Sequence, residues 1–336
     1  MVTLKQLAEQ LNVSISTVSK ALSDSDEISK DTINRVKKLA KELNYQPNRV
    51  ALSLKNNQTK TIGVIIPSIL NRFFANALYG IEKEATKLGY SIITCISNEQ
   101  LEKERESISV LSNGSVDGFI LAVSEETLIT KTTNHLQEII NKEIPLIMFD
   151  RNLSEVNCSK VIIDDFKAAF EATTLLLKKE RKQIAFISTI NDLNVGVLRR
   201  NGYDNAILKS SSLGLKPKYL FISKDADYQA VIKKLLQENP KIDAIVAADN
   251  ITGTIAVNIA KNLNYNIPKD LSIIGFADEL VSNLSVPRLT YINQNAQLIG
   301  ENALRIMVKN LKSKGANKEL STLKIPVEIV HKETTL

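Results

Sequence analysis

The N-terminal stretch TLKQLAEQLNVSISTVSKAL, residues 3–22, contains two short amphipathic segments separated by a sharp turn. Four apolar side chains recur in the first segment at the spacing of one helical face: Leu4, Leu7, Ala8 and Leu11. They predict a first helix from about Leu4 to Gln10. Asn12 follows this helix, and asparagine tolerates the left-handed backbone that a tight turn needs. The stretch therefore predicts two short helices that meet near Asn12.

The second predicted helix has a polar outer face. Ser14 can cap its N-terminus, while Val18 and Ala21 would face inward. The side chains that then point elsewhere are Ile15, Ser16, Thr17, Ser19 and Lys20. This pattern is typical of a solvated helix rich in cap-forming Ser and Thr. It is also typical of a helix that bonds phosphates and base edges in the major groove of DNA.

A third helix is predicted between Ser29, which can cap it, and Asn44, which can end it. Its apolar stripe comprises Ile33, Val36, Leu39, Ala40 and Leu43. Three short helices with a tight turn between the first two form a helix-turn-helix arrangement. Residues 1–60 carry ten Lys/Arg against six Asp/Glu, whereas the rest of the chain is nearly neutral. A basic N-terminal unit indicates a polyanionic partner.

A short linker follows this unit. Pro47 stops the third helix, and Asn48 can cap the segment RVALSLK, residues 49–55. This segment has few apolar positions for a core and would be marginal as a helix alone in water. The sequence predicts a linker that becomes helical only against a partner. A minor groove would serve, because Leu54 is the kind of apolar wedge that enters between base steps.

The first 55 residues resemble the DNA-binding head of the lactose/galactose repressor family of bacterial transcriptional regulators. The segments TLKQLAEQLNVSISTVSKAL, EISKDTINRVKKLAKELNYQPN and NRVALSLK are similar to its helix-turn-helix, third helix and hinge helix. The resemblance implies that Ile15, Ser16 and Lys20 read bases and that Leu54 is the minor-groove lever. It implies further DNA contacts at Thr3, Leu4, Ser14, Thr17, Ser19, Asn48, Arg49 and Ala51.

The remainder of the chain alternates short apolar runs with amphipathic helical stretches. Nine runs, from TIGVIIP to LSIIGFA, are predicted as buried strands because they are short, branched and apolar throughout. Repeated strand-helix units imply parallel sheets with helices on both faces. Nine strands exceed one comfortable sheet, so we expect an α/β body of two doubly wound lobes that follows the helix-turn-helix head.

The expected domains are a head over residues 1–46, a hinge over 47–60 and an effector-binding and dimerisation body over 61–336. Within the body, the first lobe is expected to hold about residues 61–160 and 291–322. The second lobe is expected to hold about residues 161–290 and 323–336. The chain would then cross between the lobes near Val161, Thr290 and Leu323.

Ligands of open α/β sheets bind beyond the C-terminal strand ends, which in a two-lobed body means the cleft. The candidate residues at these ends are Ser68, Asn71, Phe73, Phe74, Asp150, Asp249, Asn250 and Asp278. For each acid taken singly, a helix cap is the favoured alternative explanation. No GxGxxG, GxxxxGKS or GxSxG motif is present, which argues against a nucleotide cofactor and a serine hydrolase. With two histidines and two widely separated cysteines, we expect no metal and no cofactor.

The body is similar to the effector domain of the same family, which itself is similar to periplasmic sugar-binding proteins. The resemblance implies that Phe73 and Phe74, in NRFFANAL, supply the ring that stacks on the effector. It implies that Arg199 in RRNGY, Asp249 in ADNITG and Gln294 in LTYINQ contact the effector.

One departure from the family leaves the effector open. In GFADE, Ala277 stands where the family commonly has an acid, and Asp278 comes one place later. Neighbouring strand residues face opposite ways, so Asp278 need not substitute. A sugar, a sugar phosphate and a sugar acid all remain candidates for the effector. The missing acid favours a charged carbohydrate over a neutral hexose. No leucine heptads follow the last strand, which favours a homodimer.

These features predict a cytoplasmic, ligand-responsive repressor of a near-palindromic operator, and not an enzyme. Whether the effector releases the operator or acts as a corepressor stays open. A partner-dependent regulator and a carbohydrate-active enzyme are alternatives. A sugar-binding transport protein is another, but it leaves the head unexplained, and the N-terminus lacks the apolar region of a secretory signal. No apolar run approaches the length of a membrane span.

Overall fold

The computed structural model describes residues 2–45, 58–210, 215–313 and 320–335. The chain divides into two compact units, Met1–Thr59 and Lys60–Leu336, here called the head and the body. The head contains helices α1 (Leu4–Leu11), α2 (Ile15–Leu22) and α3 (Lys30–Glu42). One side chain from each helix, Leu7, Val18 and Val36, is almost fully buried at the centre of the head. The prediction of three short helices is therefore confirmed.

Local backbone chemistry sets the ends of these helices. Asn12 ends α1 in the left-handed conformation, at φ 53°, and its N–H donates to the Ala8 carbonyl. The side chains of Ser14 and Ser29 cap α2 and α3 by accepting from backbone N–H groups. Asn44, just beyond α3, is also left-handed, at φ 48°. Each of these turn and cap assignments follows from the sequence alone and is confirmed.

The body contains two six-stranded sheets, and the first defines the first lobe. Its strands are β1 (Thr61–Ile66), β2 (Ser91–Ile96), β3 (Gly118–Leu121), β4 (Leu146–Phe149), β5 (Ser159–Ile162) and β11 (Thr322–Lys324). Their order is β11-β5-β4-β3-β1-β2, and every neighbouring pair is parallel. The helices of this lobe are α4 (Arg72–Leu88), α5 (Leu101–Leu111), α6 (Glu125–Thr130), α7 (Asn134–Asn141) and α13 (Ala296–Lys312).

The second sheet defines the second lobe. Its strands are β6 (Ile184–Ser188), β7 (Lys218–Phe221), β8 (Ala244–Ala247), β9 (Ser272–Ala277), β10 (Thr290–Asn293) and β12 (Glu328–Val330). Their order is β12-β10-β9-β8-β6-β7, and β12 runs antiparallel to β10, whereas we expected parallel strands throughout. The helices of this lobe are α8 (Asp165–Lys178), α9 (Asn194–Lys209), α10 (Tyr228–Glu238), α11 (Thr252–Asn262) and α12 (Glu279–Ser282).

The chain crosses between the lobes slightly later than we expected. Val161 lies inside β5, because the strand continues to Ile162, which is in register with Lys324 of the same sheet. Strand β10 belongs to the second sheet, where Asn293 is in register with β9, so the chain returns only after this residue. The last crossing lies between β11 and β12. In each case the strand stays paired in its sheet beyond the position where we expected the crossing.

Two of the predicted strands are not buried. Strands β2 and β7 lie at the outer edges of their sheets and carry half-exposed apolar side chains such as Ile93 and Phe221. An edge strand has a neighbour on one side only, so its side chains are covered less completely. Apolar composition alone does not distinguish an edge strand from a central one.

Helices α4 and α13 pack against each other at unusually close range. A Cβ atom added to Gly80 would lie 2.1 Å from the Gln297 carbonyl oxygen, and one added to Gly300 would lie 2.0 Å from the Ala77 carbonyl oxygen. Each glycine therefore faces backbone of the other helix, which cannot move aside as a side chain can. The close packing of these two helices therefore requires glycine at both positions.

We expect Gly300→Ala to lower the free energy of unfolding by about 1–3 kcal/mol, the usual effect of overpacking a close contact. Chemical denaturation of the full-length protein would measure it. Asn302→Ala, on the partly exposed side of the same helix, is the control and should change stability little. A gain of about 1 kcal/mol, the helix propensity difference alone, would contradict the packing argument.

Candidate functional site

The outer face of α2 in the head is solvent-accessible and carries the predicted DNA-reading residues. Ile15 is 49% exposed although it is large and apolar, and Ser16 beside it is also exposed. Thr17, Ser19 and Lys20 are partly exposed, whereas Val18 and Ala21 point into the head core. The face thus combines one apolar side chain, several hydroxyls and one cation, which can bond base edges and phosphates.

Several hydroxyls on this face already have a structural role. Thr3 forms a capping box with Gln6, in which each side chain accepts from the backbone N–H of the other. The Ser14 hydroxyl accepts from the Thr17 N–H at 3.0 Å and lies 2.9 Å from the Thr17 hydroxyl. Leu4 is half-buried and packs against the head core. Ser14 therefore caps α2 as we expected, Thr3 caps α1, and any DNA contact of these residues would come in addition.

Lys20, the predicted base-reading cation, has an acidic partner in the head. Its ammonium group forms an ion pair with Glu27 in the loop between α2 and α3. Lys20 is the only basic residue of α2, so this pair engages the one positive charge of the helix. The other predicted DNA contacts, Asn48, Arg49, Ala51 and Leu54, lie outside the described residues.

A cavity of about 310 Å³, here called the first cavity, lies between the C-terminal strand ends of the two lobes. It brings together most of the predicted effector residues: Asn71, Phe73, Phe74, Asp150, Arg199, Asp249, Asn250 and Gln294. Its size falls in the range of small-molecule sites. The cleft predicted from the alternation of strands and helices therefore contains a cavity where we expected one.

Arg199 of α9 is the buried centre of this cavity. Its Nε donates to Asp165 Oδ1, its Nη1 to the Ala248 carbonyl and its Nη2 to Gln294 Oε1, each at 2.7 Å. The guanidinium also lies 3.8 Å from the ring centroid of Phe276. Three of its five N–H groups are engaged, so the remaining two can donate to a ligand.

Asp249, the first candidate acid, acts as a helix cap in this structure. One carboxylate oxygen accepts from the N–H groups of Ile251 and Thr252, at the start of α11. The other accepts from the N–H and the hydroxyl of Thr189. Four donors hold the carboxylate at the cavity wall in a fixed orientation.

Asp150 is an acid of the cavity wall whose carboxylate is not held by hydrogen-bond donors in this way. Its backbone is left-handed, at φ 56°, and its side chain is buried in the cavity wall. Among the residues described, no group donates a hydrogen bond to its carboxylate. Burial raises the pKa of Asp150 to about 6, the negative charge of Asp165 acts in the same direction, and the positive charge of Arg199 opposes them.

The cations of the first cavity are all paired with acids. Arg199 bonds Asp165, Arg151 bonds Glu99 at 2.6 Å, and Lys224 forms an ion pair with Glu125. Lys224 and Glu125 belong to different lobes, so their pair bridges the cleft. Sequence reasoning missed these partners, along with Thr189 and Tyr228 in the wall, because they come from loops and helix ends without a motif.

Two predicted effector residues lie outside the first cavity. Asp278 caps α12 and bonds Arg72 Nε at 2.8 Å and Asn76 Nδ2 at 3.2 Å, both on α4 of the other lobe. The Ser68 hydroxyl accepts from Leu70 N–H in its own loop. Asp278 thus joins the two lobes in this structure, and whether it takes the place of the acid missing at Ala277 stays a prediction.

Among the described residues, no group of three or more His, Cys, Asp or Glu side chains could hold a metal ion. None of the helices described is both long and apolar enough to cross a membrane.

Comparison with protein families gives two matches that together span nearly the whole chain. Residues 3–48 match the bacterial regulatory proteins of the lacI family. Residues 59–333 match the periplasmic binding proteins and sugar binding domain of the LacI family. The HTH-type transcriptional regulator RegA of Clostridium saccharobutylicum is 32% identical over 339 residues, covering 99% of each chain. Catabolite control protein A of Priestia megaterium is 30% identical over 338 residues, again covering 99% of each.

Solved structures share this fold. The lac repressor dimer bound to operator and the anti-inducer ONPF has a TM-score of 0.83 at 22% identity, covering 100% of this chain and 99% of the other. The transcriptional regulator CelR in complex with cellobiose has a TM-score of 0.69 at 23% identity, covering 99% and 100%.

We expect Asp150→Asn to stabilise the ligand-free protein near neutral pH. The folded-state pKa is raised to about 6, so the buried acid lowers stability progressively as the pH rises from about 4 through 6. The gain should reach about 1–3 kcal/mol at pH 7.5, at 1.36 kcal/mol per pKa unit. It should shrink at pH 5, where Asp150 itself is largely protonated. Thermal unfolding of both proteins at the two pH values would measure this, and an equal difference at both would contradict it.

Proposed function

The chain belongs to the lacI family of bacterial regulatory proteins, and we propose that it represses transcription from a near-palindromic operator under the control of a carbohydrate bound in its body. As a family member it is a DNA-binding transcriptional regulator. The finer points are our proposals: that it acts as a homodimer in the cytoplasm, that the cleft holds the effector, and that α2 enters the major groove.

The single observation that carries the proposal is a polar cavity walled by both lobes, in a chain that also has a helix-turn-helix head. Polar contacts join the lobes around this cavity. Asn250 donates to Asn71 at 3.3 Å, and Asn194 donates to the Asn152 carbonyl at 3.2 Å. A ligand that bonds both lobes changes the relative free energies of their open and closed arrangements.

The proposed switch couples this change to the hinge. In our proposal, the lobe angle sets the spacing of the two hinge segments of a dimer and so favours or prevents their folding against the operator. An effector must then bind the two states with affinities that differ by roughly 1–3 kcal/mol. Inducer and corepressor behaviour use the same geometry and differ only in which state the effector prefers.

Exposed apolar side chains support a homodimer. Leu70 is 91% exposed and Val286 is 76% exposed, and Ile251, Leu280 and Leu284 are also largely accessible. A homodimer interface would cover such side chains where they are contiguous. The related lac repressor is a dimer on its operator.

The charges of the first cavity support an uncharged carbohydrate as effector. A phosphate or carboxylate ligand calls for an unpaired cation, whereas Arg151, Arg199 and Lys224 each have an acidic partner. Asp150 adds a buried acceptor that suits a sugar hydroxyl. The ring of Phe73, on the wall, can stack on an apolar sugar face. Our expectation of a charged carbohydrate thus has less support than a neutral one.

We further propose that the effector is bound and not converted. Hydrolysis of a glycoside commonly uses two carboxyl groups, one as general acid and the other as nucleophile or general base. Asp249 accepts four hydrogen bonds in its capping role, which leaves Asp150 as the single buried carboxyl group of the wall without a donor. Sugar recovered unchanged after long incubation with the protein is the expected result.

Operator selection followed by sugar titration tests the function. Purified full-length protein should enrich a near-palindromic fragment from sheared genomic DNA, and a neutral sugar that raises its thermal midpoint should also change that affinity. Protein that is indifferent to every fragment at low salt would contradict the proposal. So would binding that no mono- or disaccharide alters.

We expect Glu27→Gln to tighten binding to a random-sequence duplex about two- to fivefold, because it frees Lys20 from a surface ion pair. The slope of log affinity against log salt should steepen by about one phosphate contact. Glu9→Gln, which removes a charge of the same sign that lies 4.0 Å from Lys5, is the matched control. Equal effects of the two variants in a fluorescence anisotropy titration would show that only net charge matters.

A further inference from the structure

A second cavity, of about 430 Å³, lies beside the first one in the same cleft. Helices α4 and α13 form its wall in the first lobe, and the ends of β9 and β10 form its wall in the second. Phe73, Asn250 and Gln294 line both cavities. The two cavities are therefore adjacent compartments of one cleft.

The boundary between the compartments includes Phe73, Asn250 and Gln294, which line both of them. Asn250 donates to Asn71 of the first cavity wall, and the length of 3.3 Å is near the upper limit for such a bond. A ligand hydroxyl can replace either amide as partner, and a glycosidic oxygen can accept from Asn250 in place of Asn71.

The polar groups of the second cavity suit a sugar ring. Asn76, Asn293, Asn295 and Gln297 give it a wall of amides, which both donate and accept hydrogen bonds as sugar hydroxyls do. Within the described residues, the two Nη groups of Arg72 and the Gln297 Oε1 have no hydrogen-bond partner. The two Nη groups can donate to a ligand and the Gln297 oxygen can accept from one.

The charges of the second cavity are balanced. Arg72 pairs with Asp278 at 2.8 Å, and Glu301 lies 3.5 Å from Lys83 and 3.3 Å from Arg305. An anionic group placed here would meet no unpaired cation. The compartment therefore favours an uncharged polyhydroxylated group, as the first cavity does.

We propose that the effector is a neutral disaccharide, with one ring in the first cavity and the second ring in the amide-lined second cavity. This inference rests on the proposed function, since it names the class of ligand that the regulatory cleft accepts. The second ring contacts α4 and α13 of one lobe and the region of Asp278 in the other. It thereby adds contacts to both lobes.

The test is isothermal titration calorimetry on the full-length protein with matched sugars. The probes are cellobiose, maltose, lactose and sucrose, together with glucose, galactose and fructose as their constituents. At least one disaccharide should bind tenfold or more tighter than either of its own monosaccharides.

Two variants locate the extra affinity in the second cavity. Gln297→Ala removes an amide of its wall and should weaken the disaccharide two- to tenfold, as loss of one hydrogen bond does. Ala296→Leu fills part of the cavity and should abolish the preference for the disaccharide. Both variants should bind the monosaccharide as before, which also shows that they fold. Asn302→Ala removes an amide of α13 that is not part of the cavity wall, and it should change neither affinity.

The possible results of these titrations distinguish a failure of the two-compartment inference from a failure of the proposed function. Monosaccharides that bind as tightly as disaccharides, or a disaccharide affinity unaffected by both variants, would overturn the two-compartment inference and leave a sugar-responsive regulator in place. Failure of every saccharide to bind would overturn the proposed carbohydrate function itself, and the inference with it.

Discussion

The cleft depends on one buried guanidinium group. Arg199 is 4% exposed, and a buried charge is tolerated only when it is paired and hydrogen-bonded. Asp165, the Ala248 carbonyl and Gln294 satisfy it from the start of α8, the end of β8 and the segment that returns to the first lobe. Removing any one of them would leave a buried donor unsatisfied. The same bonds that neutralise Arg199 therefore fix the positions of the strand ends around the first cavity.

Much of the head could be predicted because its structure is set by local interactions. The left-handed turn at Asn12 and the caps at Ser14 and Ser29 each involve residues within a few positions of one another, so the sequence contains both partners. The alternation of strands and helices in the body is likewise a periodic property. Strand position within a sheet is not, which is why β2 was expected to be buried and lies instead at an edge.

The charge partners of the site could not be predicted for the same reason. Asp278 and Arg72 are separated by 206 positions in sequence and meet only because β9 and α4 face each other across the cleft. The family resemblance indicates that Asp278 lies near the effector site, but it does not indicate the direction of the Asp278 side chain. Asp278 follows the last residue of β9 and caps α12, and from this position its carboxylate reaches Arg72 and Asn76 of α4.

The balance between rigid and loose contacts suits a switch. Within the first lobe, Gly80 and Gly300 bring α4 and α13 into backbone contact, an arrangement that does not deform gradually. Between the lobes, by contrast, the ion pairs are partly exposed: the side chains of Arg72 and Lys224 are 42% and 47% accessible. Such pairs typically contribute less than about 1 kcal/mol each. Contacts of this strength between the lobes are comparable to the hydrogen bonds that a bound ligand can supply across the cleft.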